Sequence, residues 1–173
     1  MKVSELKISG LKVIEPNIFL DNRGFFYESF NQRDFNKYVC KNITFVQDNH
    51  SKSRRGVIRG LHMQVNTSSQ GKLVRVIKGE IYDVAVDCRE DSRTKNSWEA
   101  VILSDHNKKQ FWIPDGFLHG FMVLSDYAEV IYKTTNFYDP ENEISVHWKN
   151  NNFNILWPKI ESEIILSTKD SSN

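Results

Sequence analysis

Little in this chain is extreme, and each scarcity removes a class of function. Of 173 residues only two are cysteine, Cys40 and Cys88. They stand in no metal or redox spacing, which excludes a disulfide scaffold and fits two reduced thiols in a cytoplasmic protein. Lysine plus arginine (23) nearly balance aspartate plus glutamate (22), for a formal net charge of +1. That balance gives no electrostatic support to nucleic-acid or membrane-surface binding. No apolar run approaches the roughly 20 residues that span a bilayer. The start, Met1-Lys2-Val3-Ser4-Glu5-Leu6, lacks the apolar stretch of a signal peptide. Glycine (8) and proline (4) are sparse, and no linker, repeat or low-complexity tract divides the chain. One domain over residues 1–173, with a sizeable core, is expected.

What is present is a succession of short runs of Val, Ile, Phe and Tyr, separated by Gly, Asn, Asp and Ser. The pattern predicts strands at 12–19, 25–29, 44–48, 57–64, 72–78, 80–87, 97–103, 110–113, 119–124, 128–134 and 143–148. Phe30 to Tyr38 reads as a short helix, with Asn31 as N-cap and Phe35 and Tyr38 turned toward the body. Gly79-Glu80 looks like a tight connection between two strands. Many short strands at near-regular spacing predict a mainly β protein with few short helices. The architecture expected is a jelly-roll barrel whose inner face carries polar side chains.

Two segments pair a histidine with glycine at a strand: Arg59-Gly60-Leu61-His62-Met63-Gln64 and Pro114-Asp115-Gly116-Phe117-Leu118-His119. Such a pair outlines a barrel of the cupin kind. Cupins commonly hold a metal with such histidines, but the first segment reads His-x-Gln, and no Glu follows at ligand spacing. Proton chemistry by histidine, with no metal, is the reading that remains. By the two-residue period, Gly60, His62 and Gln64 share one face and Arg59, Leu61 and Met63 the other.

His62 is then a general base in the barrel interior or a buried structural histidine. Arg59, Lys72 and Arg75 form a cationic cluster for a phosphate or diphosphate, or are solvated strand charges. Lys72 is also placed to stabilise an oxyanion. His119 is a phosphate or substrate contact, or a loop histidine bonded to backbone. With Val130 turned inward Tyr132 follows, as a proton donor or as a core tyrosine satisfied by one hydrogen bond. Residues 21–30 mix aromatics with Arg23 and Glu28, as a nucleobase pocket or an amphipathic edge strand does. The apolar surface of 25–30 exceeds what an exposed edge tolerates, so a homodimer with exchanged N-terminal strands is expected.

Taken together, several stretches closely resemble one family, the dTDP-4-dehydrorhamnose 3,5-epimerases. They are Asp21-Asn22-Arg23-Gly24-Phe25-Phe26-Tyr27-Glu28, Gln47-Asp48-Asn49-His50-Ser51, the two histidine segments, Gln70-Gly71-Lys72, Tyr132-Lys133-Thr134-Thr135-Asn136-Phe137-Tyr138 and Lys169-Asp170. The resemblance runs in order along essentially the whole chain. It implies a dimeric jelly roll that needs no metal or cofactor. Such an enzyme inverts the carbons next to the ketone (C3 and/or C5) of a nucleotide diphosphate 4-keto sugar, in bacterial surface-polysaccharide biosynthesis. It further implies His62 as base, Asp170 as its carboxylate, Tyr132 as acid on the other face and Lys72 at the enolate oxygen. Arg59, His119, Gln47, Asn49 and Lys169 would hold phosphates or sugar. Arg23, Phe26 and Glu28 would reach the nucleoside from the partner subunit, with Tyr138 stacked on the base.

The chain departs from the family pattern in three places. Met63 stands where the family has Tyr or Phe, making the wall beside His62 more flexible. The 66–70 loop, Asn66-Thr67-Ser68-Ser69-Gln70, is unusually polar, and the chain ends three residues after Asp170, which makes Asp83 the alternative carboxylate. Single-centre inversion and GDP-linked 4-keto heptoses are alternatives within the class. A sugar 3,4-ketoisomerase and a non-catalytic sugar-binding cupin are alternatives outside it.

Overall fold

The computed structural model describes residues 1–171. The strands are β1 (Lys2–Glu5), β2 (Lys12–Glu15), β3 (Phe19–Asp21), β4 (Gly24–Phe26), β5 (Gln47–Arg54), β6 (Ile58–Gln64), β7 (Lys72–Lys78), β8 (Glu80–Asp87), β9 (Trp98–Ser104), β10 (Gln110–Ile113), β11 (Phe117–Val123), β12 (Tyr127–Thr134) and β13 (Glu143–Ser145). Two short helices accompany them, α1 (Gln32–Tyr38) and α2 (Thr168–Ser171). The order β1-β2-β10-β7-β12-β5 makes a six-stranded sheet and β13-β6-β11-β8-β9 a five-stranded one, while β3 and β4 form a separate hairpin.

The inner faces of the two sheets meet in an apolar core. Val74, Phe111 and Val130 from one sheet pack with Ile81, Ala85, Phe121 and Val123 from the other, all buried. This is a cupin-like jelly roll. Each of the larger of these side chains stabilises the fold by roughly 1.5–3 kcal/mol, before the entropy of ordering it. On the outer face of the six-stranded sheet, α1 presses Phe35 and Val39 onto Ile14, Leu73 and Trp112. The outer face of the five-stranded sheet is covered by the irregular chain after β13, through Phe153, Ile155 and Trp157 and then Ile160, Ile164 and Leu166.

Asn31 caps α1, its side chain accepting from the Asp34 N–H at 3.2 Å. Tyr38, expected inside, is 53% exposed. It ends the helix, where only one turn's face reaches the sheet, and Lys37 lies over its ring.

The predicted strands from 57–64 through 128–134 recur with small boundary shifts, because their alternating apolar residues mark the faces. Elsewhere the boundaries are corrected. The strand expected at 12–19 ends at Glu15, before Pro16, which has no N–H for a ladder. The one expected at 25–29 is the shorter β4 of a hairpin, and 143–148 stops at Ser145. The strand expected at 44–48 lies at Gln47–Arg54 instead. Its sequence is polar throughout, so no apolar run betrays it, yet burial alternates strictly along it. Its inner face, Gln47, Asn49, Ser51 and Ser53, is polar because it faces the barrel interior beside β12.

Candidate active site

A cavity of about 510 Å³ lies between the sheets. Arg59 and His62 of β6, Lys72 of β7, His119 of β11, Tyr132 of β12 and Asp170 of α2 line it, along with Lys169 and Ser51. Strict alternation would have turned Arg59 away from His62. The register explains why both face inward: His62 pairs with His119 and Arg59 with Phe121, so β6 advances three residues while β11 advances two. One extra residue on β6 is a β-bulge, and it returns the strand to the same face. The glycines permit it. A Cβ on Gly60, at φ +110°, would lie 2.6 Å from the His119 carbonyl oxygen, and one on Gly120 would lie 2.7 Å from that of Arg59. The Gly60–Leu61 peptide is cis.

His62 Nε2 lies 2.6 Å from Asp170 Oδ1. An ionised carboxylate only accepts, so Nε2–H donates and Nδ1 keeps the basic lone pair. Burial lowers the imidazole pKa below its ordinary value, against the opposing pull of Asp170 and Glu143, so the ring is neutral at pH 7. Asp170 Oδ2 is taken up as well, accepting from Ser167 Oγ at 2.7 Å. Asp83, the alternative carboxylate, instead meets His119, with Oδ1 2.6 Å from His119 Nε2 and both side chains buried.

Lys72 is buried, 8% exposed, and donates to the His62 carbonyl at 3.3 Å. Burial brings its pKa down to about 8, with Glu143 and Asp83 pulling the other way. Tyr132 stands on the opposite sheet from His62. Burial raises its pKa, so the phenol keeps its proton at neutral pH. Arg59 donates from Nε to Ser53 Oγ at 2.9 Å.

Arg75 does not join Arg59 and Lys72. It lies on the outer face of β7, where Nη1 donates to Tyr27 Oη at 3.3 Å, because β7 alternates regularly from Lys72 to Val76, its register with β12 shifting only beyond Val76, and puts Lys72, Val74 and Val76 inward. Met63 likewise points outward, packing with Leu61, Val84 and Leu118, and is not part of the wall beside His62. Gln47 and Asn49 are bonded to each other at 3.0 Å and sit beside Tyr138, whose N–H donates to Gln47 Oε1. They do not line the His62 cavity. The polar 66–70 loop fastens the segment that carries Tyr138: Asn66 donates to Asn142, Ser68 to Asp139 and Gln70 to the Asn136 carbonyl.

Within one chain Arg23, Phe26 and Glu28 stand apart from the cavity. Arg23 is exposed at the hairpin turn, 2.5 Å from Asp21. Phe26 and Glu28 line a separate pocket with Phe19, Pro16 and Phe30.

The sequence reading missed Glu143. Its Oε1 lies 3.8 Å from His62 Nδ1, Oε2 accepts from Tyr138 Oη at 2.9 Å, and it pairs with Lys169. Nothing local marks it, since its place depends on β13 pairing with β6, Glu143 beside Gln64. Ser51 and Ser167 were missed as well, because their places depend on β5 pairing with β12 and on the docking of α2. Among the described residues no three His, Cys, Asp or Glu side chains converge to hold a metal ion. Gln64 Oε1, at the cupin ligand position, accepts from the Asp139 N–H at 2.9 Å.

The class these features define is the cupin-like jelly roll with its ionisable side chains gathered inside the barrel. More particularly, the chain belongs to the dTDP-4-dehydrorhamnose 3,5-epimerase family, whose model matches residues 5–173. It is similar to the dTDP-4-dehydrorhamnose 3,5-epimerase of Salmonella typhimurium, 51% identical over 158 residues, covering 91% of this chain and 86% of that protein. It is also similar to the crystal structure of the Legionella pneumophila dTDP-6-deoxy-D-glucose-3,5-epimerase in complex with dTDP-4-keto-L-rhamnose. There the TM-score is 0.95 and identity 49%, covering 99% of this chain and 90% of that one. A more distant likeness is ChmJ, a 3'-monoepimerase of Streptomyces bikiniensis in complex with dTDP-quinovose. There the TM-score is 0.89 and identity 31%, covering 96% and 83%. The chain is an isomerase-class enzyme, a nucleotide-sugar epimerase.

Proposed function

We propose that the enzyme inverts both carbons flanking the ketone of a dTDP-linked 4-keto-6-deoxyhexose, using protein side chains alone. One observation carries this reading. A carboxylate-paired neutral imidazole on one sheet and a protonated phenol on the facing sheet line the same cavity. A sugar ring between the sheets meets a base on one face and an acid on the other. His62 Nδ1 takes the proton from the carbon next to the ketone, and the C–H electron pair moves into a C=C bond as the C4 oxygen becomes an enolate. Lys72 faces that oxygen as a cation. Collapse of the enolate takes a proton from Tyr132 on the opposite face, which inverts the carbon. Solvent then reprotonates the phenolate and takes the proton from His62, with Asp170 having supported the imidazolium meanwhile.

Arg59 and His119 hold the diphosphate or sugar, and Lys169 completes the sugar end. Tyr138 stacks on the base. The nucleoside contacts Arg23, Phe26 and Glu28 come from the partner of a homodimer. Support for the exchange is the β3–β4 hairpin, whose Phe19, Leu20, Phe25 and Phe26 are 57–79% exposed in one chain. Residues 1–173 act as one epimerase domain, in the biosynthesis of a surface-polysaccharide sugar. We place it in the cytoplasm on its two free cysteines. Among the described residues no helix is long and apolar enough to cross a membrane.

The test is NMR of dTDP-4-keto-6-deoxyglucose incubated with the enzyme in deuterated water. Inversion with deuterium at both C3 and C5 is expected. Deuterium at one carbon alone would make it a monoepimerase, and turnover of a GDP-linked substrate alone would overturn the nucleoside assignment.

A further inference from the structure

The reading of His62 as base leaves open what aims its carboxylate. Asp170 arrives on α2, a helix of four residues at the end of a long irregular segment. That segment is tied down just before it by one bridge, with Ile58 N–H donating to the Ile165 carbonyl at 3.0 Å and Ile165 N–H to the Gly56 carbonyl at 2.9 Å. A helix so short has little rigidity of its own. Its first turn is closed by Ser171 N–H donating to the Ser167 carbonyl at 3.1 Å, which makes Ser167 the N-cap.

Ser167 bonds to Asp170 twice. Its Oγ accepts from the Asp170 N–H at 3.1 Å, and its hydroxyl donates to Asp170 Oδ2 at 2.7 Å. Ser167-Thr168-Lys169-Asp170 has the spacing of a capping box, in which the acid three residues on reaches back to the cap's own N–H. Here the acid takes the serine hydroxyl instead. One carboxylate oxygen is thereby held at the cap and the other, Oδ1, is left facing His62 Nε2 at 2.6 Å. Asp170 is 5% exposed, so without the hydroxyl Oδ2 would be buried and unpaired and the carboxylate would turn to find a partner.

We propose that Ser167 is a positioning residue for the catalytic base, its hydroxyl fixing the rotamer in which Asp170 orients and supports His62. The proposal rests on the reading of His62 and Asp170 as base and partner. The titratable and charged groups around His62 are Asp170 and Lys169 from α2, Glu143 from β13, Lys72 from β7, His119 from β11, Tyr132 from β12 and Arg59 of its own strand. Of these, Asp170 raises the imidazole pKa, so a loosened carboxylate lowers it.

The experiment compares Ser167→Ala, Ser167→Thr, Asp170→Asn and the double variant S167A/D170N in the full-length enzyme, measuring kcat, KM, the pH profile of kcat and Tm. For Ser167→Ala, kcat should fall about 10- to 100-fold, the scale of a misplaced catalytic group. KM should stay near wild type and the acid limb of the profile should move to lower pH. Threonine should restore both, and in the Asp170→Asn background the serine change should cost nothing more. Wild-type kcat and profile in Ser167→Ala, with Asp170→Asn slow, would overturn this proposal alone. So would a rise in KM only, multiplicative losses in the double variant, or a joint loss of Tm, KM and kcat that threonine does not rescue. Asp170→Asn at the wild-type rate would overturn the reading of the base pair beneath it.

Discussion

His62 and His119 are direct cross-strand partners on β6 and β11, and each is held by its own carboxylate at 2.6 Å. The two pairs differ in setting. His119 is 8% exposed and its Asp83 comes from the adjacent strand β8, so that pair is built into the sheet. The His62 side chain is 26% exposed, and its Asp170 comes from the far end of the chain. Both line the cavity, but the His62 pair is the more open of the two, which supports the proposal of His62 as the base.

His62 and Tyr132 should fail differently. His62→Asn should abolish wash-in of solvent deuterium next to the ketone, a loss on the order of 10²–10⁴ in rate. Tyr132→Phe keeps the ring and its packing, so exchange should persist at one carbon or more while inversion becomes slow or incomplete. NMR of substrate with each variant in deuterated water separates them. Wild-type exchange by folded His62→Asn would remove histidine as the base.

The pH profile follows from two lowered pKa values. Activity should rise with pH as His62 loses its proton, below the ordinary 6.5 of a histidine. It should fall as Lys72 loses its charge near pH 8. An alkaline limb that stays put in a Lys72→Arg variant would disconnect it from this lysine.

Lys72 also costs stability. Its folded pKa of about 8 lies below its ordinary 10.5, so between those values the unfolded chain binds the extra proton and folding becomes more favourable as pH rises. Below that window the buried charge is paid for in full. Lys72→Met should therefore raise Tm at pH 7, by on the order of 1–3 kcal/mol of stability, while turnover collapses. A lower Tm in the variant at pH 7 would contradict this.

If the hairpin completes the neighbour's site, two dead subunits should rescue each other. Mixing refolded Arg23→Ala and His62→Asn chains puts one intact site in each heterodimer. About a quarter of wild-type activity is expected from random pairing. No recovery, with heterodimers demonstrated by mass spectrometry, would place Arg23 in its own chain's site.

Gly56→Ala should slow catalysis from a distance. Its Cβ would lie 2.2 Å from the Glu163 carbonyl oxygen, beside the Ile165 bridge that precedes Asp170, and its φ is +81°. The strain alone is on the order of 1–3 kcal/mol. Because the clash displaces the strap carrying Asp170, kcat should drop along with the denaturation midpoint. A destabilised variant with wild-type kcat would show that strap and base are independent.

Much of this molecule was legible in its residue order. The central strands declare themselves because their faces are apolar on alternate residues, and Asn31 marks its helix by simple capping chemistry. The motifs around His62, Lys72, His119, Tyr132 and Asp170 carry the family resemblance, and those five side chains share one cavity. What tertiary structure alone decided involves pairs far apart in sequence or faces with no apolar signal. Strand β5 is polar on both sides because one side faces the barrel interior beside β12, where Ser51 lines the cavity. Arg59 faces inward through a bulge that exists only in the pairing of β6 with β11. Glu143 reaches His62 because β13 docks on β6, and Ser167 matters only once α2 has docked and brought Asp170 across 108 residues to His62. Local propensity acts over a turn or a strand pair. The final aim of a carboxylate depends on where packing leaves the backbone that carries it.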